Sequence, residues 1–154
     1  MAKKSFNEKL QDSKDMPKII EVTDPKAVMR YGGTKMLIAP PLAYDEIMKK
    51  VPLGKVITSD YVRNYLAQKY EADYTCPLTA GIFMNIAANA SPERGVDETP
   101  YWRTLKKDGE LNEKYPDGIE GQKLLLEREG HTIIQKGKRY FVKEFMGKLF
   151  ELEV

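Results

Sequence analysis

Cys76 and His131 are the chain's sole cysteine and sole histidine, and together they have the types of a nucleophile and its base. Cys76 stands immediately before Pro77, where a starting helix would favour the thiolate through its dipole. The sequence does not bring the two residues together in space, and an inert, buried thiol is the more ordinary state of a lone cysteine. His131 by itself reads as a surface or strand-end residue. Tyr101-Trp102-Arg103 is the second constellation. The two aromatics can floor a pocket that stacks on a nucleic-acid base, a contact of about 1–3 kcal/mol, or they can be core residues of a strand. Arg103 suits hydrogen bonds to carbonyls of the loop before the helix that Pro77 opens. Glu129 reads as a structural carboxylate near Arg103 or Tyr101. One histidine and one cysteine cannot supply the usual metal-ligand clusters, so no metal or other cofactor is expected. Tyr31-Gly32-Gly33-Thr34-Lys35 lacks the spacing of a phosphate-binding loop.

Residues 1–35 are polar, mixed in charge and marked by turns at Met16-Pro17, Asp24-Pro25 and Gly32-Gly33. They read as an arm with little regular structure, laid on the body through Ile19, Ile20, Val22, Val28 and Met29. Met36-Leu37-Ile38-Ala39 predicts a strand stopped by Pro40-Pro41. A helix follows over 43–50 with Leu42, Ile47 and Val51 on its buried side, then a turn and a brief strand at Val56-Ile57. Thr58 or Ser59 can cap a second helix, in which Val62, Leu66 and Tyr70 recur at four-residue spacing. Pro77 suits the first turn of the next helix, over 77–90. Leu78, Ile82 and Ile86 are its predicted inner face, with Thr79, Phe83, Met84 and Ala87 outside. No charged residue occurs between Thr75 and Pro92. A helix apolar nearly all round is usually covered on more than one side. An extended stretch at 101–105, a helix over 119–129 ended by Gly130, and a hairpin around Lys136-Gly137-Lys138 complete the order.

At 154 residues the chain has room for one packed core, and 42% hydrophobic residues exclude a wholly disordered chain. No apolar run approaches the roughly 18 residues of a membrane span, and no secretory signal follows Met1. A single cysteine forms no internal disulfide, so a cytoplasmic protein without membrane contact is expected. The formal charge of +2 is too small to argue for nucleic acid by itself.

Two helices joined by a short turn and followed by strands fit a winged helix-turn-helix. Specific residues sharpen this. Val51-Pro52-Leu53-Gly54-Lys55-Val56-Ile57-Thr58, Ala87-Ala88-Asn89, Pro100-Tyr101-Trp102-Arg103, Lys106-Lys107-Asp108-Gly109 and the run from Lys123 to Gly130 occur in this order. Across about residues 42–131 they resemble the DNA-binding half of the alkylguanine-DNA alkyltransferases and their alkyltransferase-like relatives. The resemblance implies an α+β fold, with an N-terminal arm (1–41) packed on a winged-helix domain (42–154) that closes in a β-hairpin.

In that family a cysteine thiolate, activated through a histidine and a glutamate, removes the alkyl group from a base flipped out of the duplex. Here Tyr101 stands at the cysteine position and Trp102 at the histidine position, while Glu129 and Arg103 are kept. A phenol is protonated at neutral pH, and an indole has no basic nitrogen. The family reaction is therefore expected to be absent. Alignment on Asn89 puts Ala80 at the position of the arginine that fills the flipped base's space, and Ser59 at that of a tyrosine beside the turned phosphate. The resemblance implies a non-catalytic protein that binds double-stranded DNA weakly and recognises alkylated bases. Ser59, Ala80, Asn89, Tyr101, Trp102 and Arg103 are its candidate contacts. Lys49, Lys50, Lys55, Arg63, Arg94, Lys106 and Lys107 could ring a groove. Two alternatives stand beside this reading. One is an interaction module that has lost DNA binding and uses helix 77–90 against a protein partner or a second copy. The other is an alkyl acceptor that uses Cys76.

Overall fold

The computed structural model describes residues 4–153 and is a mixed α+β structure. Its elements in order are α1 (Phe6–Gln11), β1 (Lys18–Glu21), α2 (Pro25–Tyr31), β2 (Lys35–Ile38), α3 (Pro41–Lys50), β3 (Ile57–Thr58), α4 (Ser59–Lys69), β4 (Tyr74–Thr75) and α5 (Pro77–Arg94). A 3-10 turn over Tyr101–Arg103 leads into β5 (Thr104–Leu105), then α6 (Gly118–Arg128), β6 (Ile133–Lys136) and β7 (Arg139–Val142). β1 pairs antiparallel with β2, and β2 pairs parallel with β4. β3 and β5 form a short parallel pair, and β6 and β7 form the hairpin. Tyr44 and Met48 of α3, Leu66 of α4, Leu105 of β5 and Leu126 of α6 meet in one core. Among the described residues no helix is long and apolar enough to cross a membrane.

The first 35 residues are more regular than their composition implies, and local capping explains it. Ser5 and Glu8 form a reciprocal capping box at α1. Asp24 caps α2 through the Lys26 amide, with Pro25 in the first turn. Glu93 of α5 then accepts the free Phe6 and Asn7 amides at 3.1 and 3.0 Å, and Asn7 donates to the Ala90 carbonyl, which docks α1 on α5. Asp73 accepts from the Thr34 and Lys35 amides. A side chain at Gly33 would overlap that carboxylate, so glycine is needed there.

α5 departs most from expectation. It runs on through Pro92 to Arg94 and is closed by Gly95 in the left-handed conformation. Its inner face is Ala80, Met84, Ala87, Ala88 and Ser91, whereas Leu78 and Ile82 are 72% and 47% exposed. Both stripes repeat at helical spacing, so periodicity could not choose between them. Close packing of α1 and α3 against α5 chose the small residues. α3 begins two residues earlier than expected, and Thr58 at the start of α4 makes no side-chain cap bond. The stretch 101–103 is a 3-10 turn and not a strand.

His131 is not on the surface. It is 4% exposed, and neither ring nitrogen has a hydrogen-bond partner. Burial lowers its pKa, helped by the positive charges of Lys148 and Arg103 and opposed by Glu129. A folded-state pKa below the unfolded value gives stability that is present above about pH 6.5 and is lost as pH falls through the lowered value. Because this is the only histidine, thermal melting between pH 7 and 5.5 isolates it. We expect the wild type to lose stability steeply there and His131→Leu to show a flatter profile; equal slopes contradict the assignment.

Candidate functional site

The segment from Pro100 to Tyr115 is held on both flanks. Upstream, Thr99 donates to the buried Asp45 of α3 at 2.6 Å, and its amide bonds Ser91. Arg94 donates to Thr99 and to the Val96 and Asp97 carbonyls, which closes the loop after α5. Lys49 pairs with Asp45 and Asp97. Lys49 and Arg94 are thus committed to structure.

Behind the 3-10 turn lies a knot centred on Glu129. Arg103 pairs with its carboxylate through Nε at 2.9 Å and Nη2 at 2.7 Å, and Trp102 Nε1 donates to it at 2.9 Å. Arg103 Nη1 also reaches the Val51 carbonyl at the end of α3, and the guanidinium lies 5.4 Å over the Trp102 ring. Burial opposes charge on Glu129, yet the hydrogen bonds from Arg103 and Trp102 hold its pKa below the usual range. Both carboxylate oxygens of Glu129 are therefore occupied by Arg103 and Trp102. The Arg103 carbonyl partner belongs to the end of α3, away from the start of α5.

Tyr101 is packed edge-on against both Trp102 and Tyr115, at 5.2 and 5.5 Å. Burial pushes its phenol pKa up, and Asp117 and Glu98 add to the rise. Tyr115 is itself buried, with its hydroxyl on the Thr104 carbonyl at 3.0 Å. Gln122 of α6 donates to the Trp102 carbonyl and accepts from the Asn112 amide at 2.7 Å.

A groove of about 340 Å³ runs between α5 and residues 105–115. Met84, Leu105 and Tyr115 form its apolar floor, Ser59 and Gly81 one end, and Asn85 and Asn112 its polar wall. Lys106, Lys107 and Lys114 stand along it. Asn112 donates to Asn85 at 3.1 Å, and Asn89 donates to the Asn85 and Lys114 carbonyls, so the far wall is tied to the helix. Gly109 has a φ of +83°, and a Cβ there would strike the Phe145 ring, so only glycine allows the turn behind the lysines.

Ser59 lines this groove and Asn89 braces it. Ala80 is fully buried against the core and cannot touch a ligand on the outer face. Tyr101 and Trp102 do not line the groove; they border a separate notch of about 240 Å³ with Ser91, Glu98 and Leu125. Cys76 lies at the start of α5, partly exposed. The unpartnered nitrogens of His131 rule out a hydrogen-bonded thiol–imidazole pair. Among the described residues no cluster of three metal-ligating side chains occurs. Of the seven cations singled out in the sequence, Lys106 and Lys107 reach the groove. Asn85, Asn112, Lys114 and Tyr115 were missed. Asn85 carried a usable signal, being one of the few polar side chains in the uncharged run from Thr75 to Pro92.

The fold is similar to that of two solved structures. One is S. pombe Atl1 in complex with damaged DNA containing O6-carboxymethylguanine, with a TM-score of 0.54 and 19% identity over 73% of this chain and 94% of that one. The other is S. pombe ATL in complex with DNA, with a TM-score of 0.55 and 20% identity over the same shares. No protein-family model and no curated protein matches the chain.

Removing the Glu129 carboxylate leaves Arg103 buried and unpaired. Glu129→Ala is expected to cost about 3 kcal/mol of unfolding free energy, read by urea denaturation. A loss near zero would contradict the knot's structural role.

Proposed function

We propose that this chain is a non-catalytic alkyltransferase-like protein that binds duplex DNA weakly and accepts an alkylated base in the groove beside α5. The observation that carries the proposal is the groove itself: an apolar, tyrosine-floored trough with two asparagines on its wall and three lysines along it. A flat heterocycle suits the floor, asparagine amides suit its edge, and lysines suit the flanking phosphates. α4 and α5 are read as the helix pair of a winged helix-turn-helix within residues 42–154, β6 and β7 as its wing, and residues 1–41 as an arm. Likeness of fold to two proteins solved with DNA supports this reading. Tyr101 argues against alkyl transfer, because its phenol has a raised pKa and borders the other notch. Trp102 and Arg103 hold position instead of contacting a base.

Weak affinity follows from charge. The outer face of α5 carries no cation, which leaves roughly three lysine contacts and a salt slope, log K against log salt, of about −2.7. Fluorescence anisotropy with plain and O6-alkylguanine duplexes at low salt tests this. Binding at micromolar protein is expected, with the slope falling toward zero in the Lys106→Gln, Lys107→Gln, Lys114→Gln triple variant. No binding of either duplex, or an unchanged slope, sinks the proposal.

A second reading is favoured by the exposure of Leu78 and Ile82: an interaction module using this helix against a protein partner or a second copy.

A further inference from the structure

The two asparagines on the wall of the α5 groove are oriented by a backbone donor. The Lys114 amide N–H donates to Asn112 Oδ1 at 2.9 Å. A backbone N–H can only donate, so the oxygen of Asn112 faces Lys114 and its amino group faces away. That amino group donates to Asn85 Oδ1 at 3.1 Å. The oxygen of Asn85 is thereby turned to Asn112, and its Nδ2 to the other side. Among the described residues Asn85 Nδ2 donates to nothing, and it is not one of the buried unpartnered atoms, so it stays open where Asn85 lines the groove. The backbone carbonyls of Asn85 and Lys114 are engaged by Asn89 Nδ2 at 2.8 and 3.2 Å. Lysines along the groove only donate. Two groups can still accept, the Ser59 hydroxyl at one end and the Glu113 carboxylate, which is exposed at the rim. The helix side of the wall thus presents one directed, unspent donor.

We propose that Asn85 is the specificity-determining residue of the groove, its Nδ2 donating to the ring nitrogen N1 of an O6-alkylated guanine. Asn85 has this role only if the groove seats the base, as proposed above. Plain guanine carries a hydrogen on N1. Alkylation at O6 fixes the ring as a lactim ether, which removes that hydrogen and leaves a lone pair on N1. Asn85 Nδ2 then meets an acceptor, whereas in guanine it meets a second donor and both are left unpaired. An unmade bond of this kind costs more than a made one contributes, which is how a single amide discriminates. The group read is the altered ring nitrogen and not the alkyl chain. Asn112 is a positioning residue in this arrangement, since it holds the Asn85 oxygen and so decides which end of the amide is free.

Competition binding with three duplexes that differ at one base tests this. The bases are guanine, O6-methylguanine and the 1-deaza analogue of O6-methylguanine, in which a C–H replaces N1 and the methyl group is kept. The wild type is expected to bind the O6-methylguanine duplex about tenfold more tightly than either of the others, the worth of one hydrogen bond. In Asn85→Asp an oxygen replaces Nδ2 while the other oxygen still accepts from Asn112. The preference is then lost or reversed toward guanine, whose N1–H now meets an acceptor. The added charge weakens all three duplexes alike, so the ratio is the quantity read. Equal binding of the 1-deaza and O6-methylguanine duplexes, or a preference that Asn85→Asp keeps, overturns the role of Asn85 and leaves the groove as the base's seat. Binding of all three duplexes without preference does the same. Binding of none overturns both. The 1-deaza comparison uses the wild-type protein, so misfolding of a variant cannot imitate its result.

Discussion

The buried carboxylate of Glu129 is the constraint on which the site depends. It sits just past α6, takes a two-point contact from Arg103 and a third bond from Trp102, and through Arg103 is connected to the Val51 carbonyl just past α3. Three separated stretches of chain thereby share one centre. A buried charge is tolerated only when paired and hydrogen-bonded, and here the pairing is bidentate and the indole N–H adds to it. The 3-10 turn at Tyr101–Arg103 has its direction set by this knot, and so does the start of β5, from which the groove's outer wall departs.

The same knot bears on the chemistry. Both oxygens of the Glu129 carboxylate are engaged by a guanidinium and an indole N–H. Tyr101 is turned into an aromatic cluster with Trp102 and Tyr115, and Tyr115 covers the groove floor. Tyr101 is thus held away from the groove, at the separate notch. The groove side offers an apolar floor, asparagine amides and three lysines, which are the groups that the proposed recognition of a base would use.

Much of the fold was legible because it rests on local signals. Four-residue spacing marked α4, Gly130 marked the end of α6, and Gly137 marked the hairpin turn. The regularity of the first 35 residues was readable too, in the Ser5–Glu8 and Asp24–Pro25 pairs, but polar composition obscured it. The orientation of α5 was not readable, because its alanine stripe and its leucine–isoleucine stripe share one period, and only close packing by α1 and α3 selects between them. Ala80 became a candidate contact through alignment on Asn89 and not through periodicity, and the packed side of α5 buries it. The groove depended on contacts distant in sequence: Asn85 to Asn112 spans 27 residues, and no pattern in either segment announces it. His131 escaped because an unpartnered, buried imidazole leaves no mark on the surrounding residue types.

Amide hydrogen exchange with and without a saturating O6-alkylguanine duplex tests most directly whether DNA lies along the α5 groove. Slower exchange is expected in the exposed first half of α5 and across residues 105–115, with the hairpin affected less and α1 unchanged. Protection confined to α1 and the first strands, or none at saturation, would contradict the account.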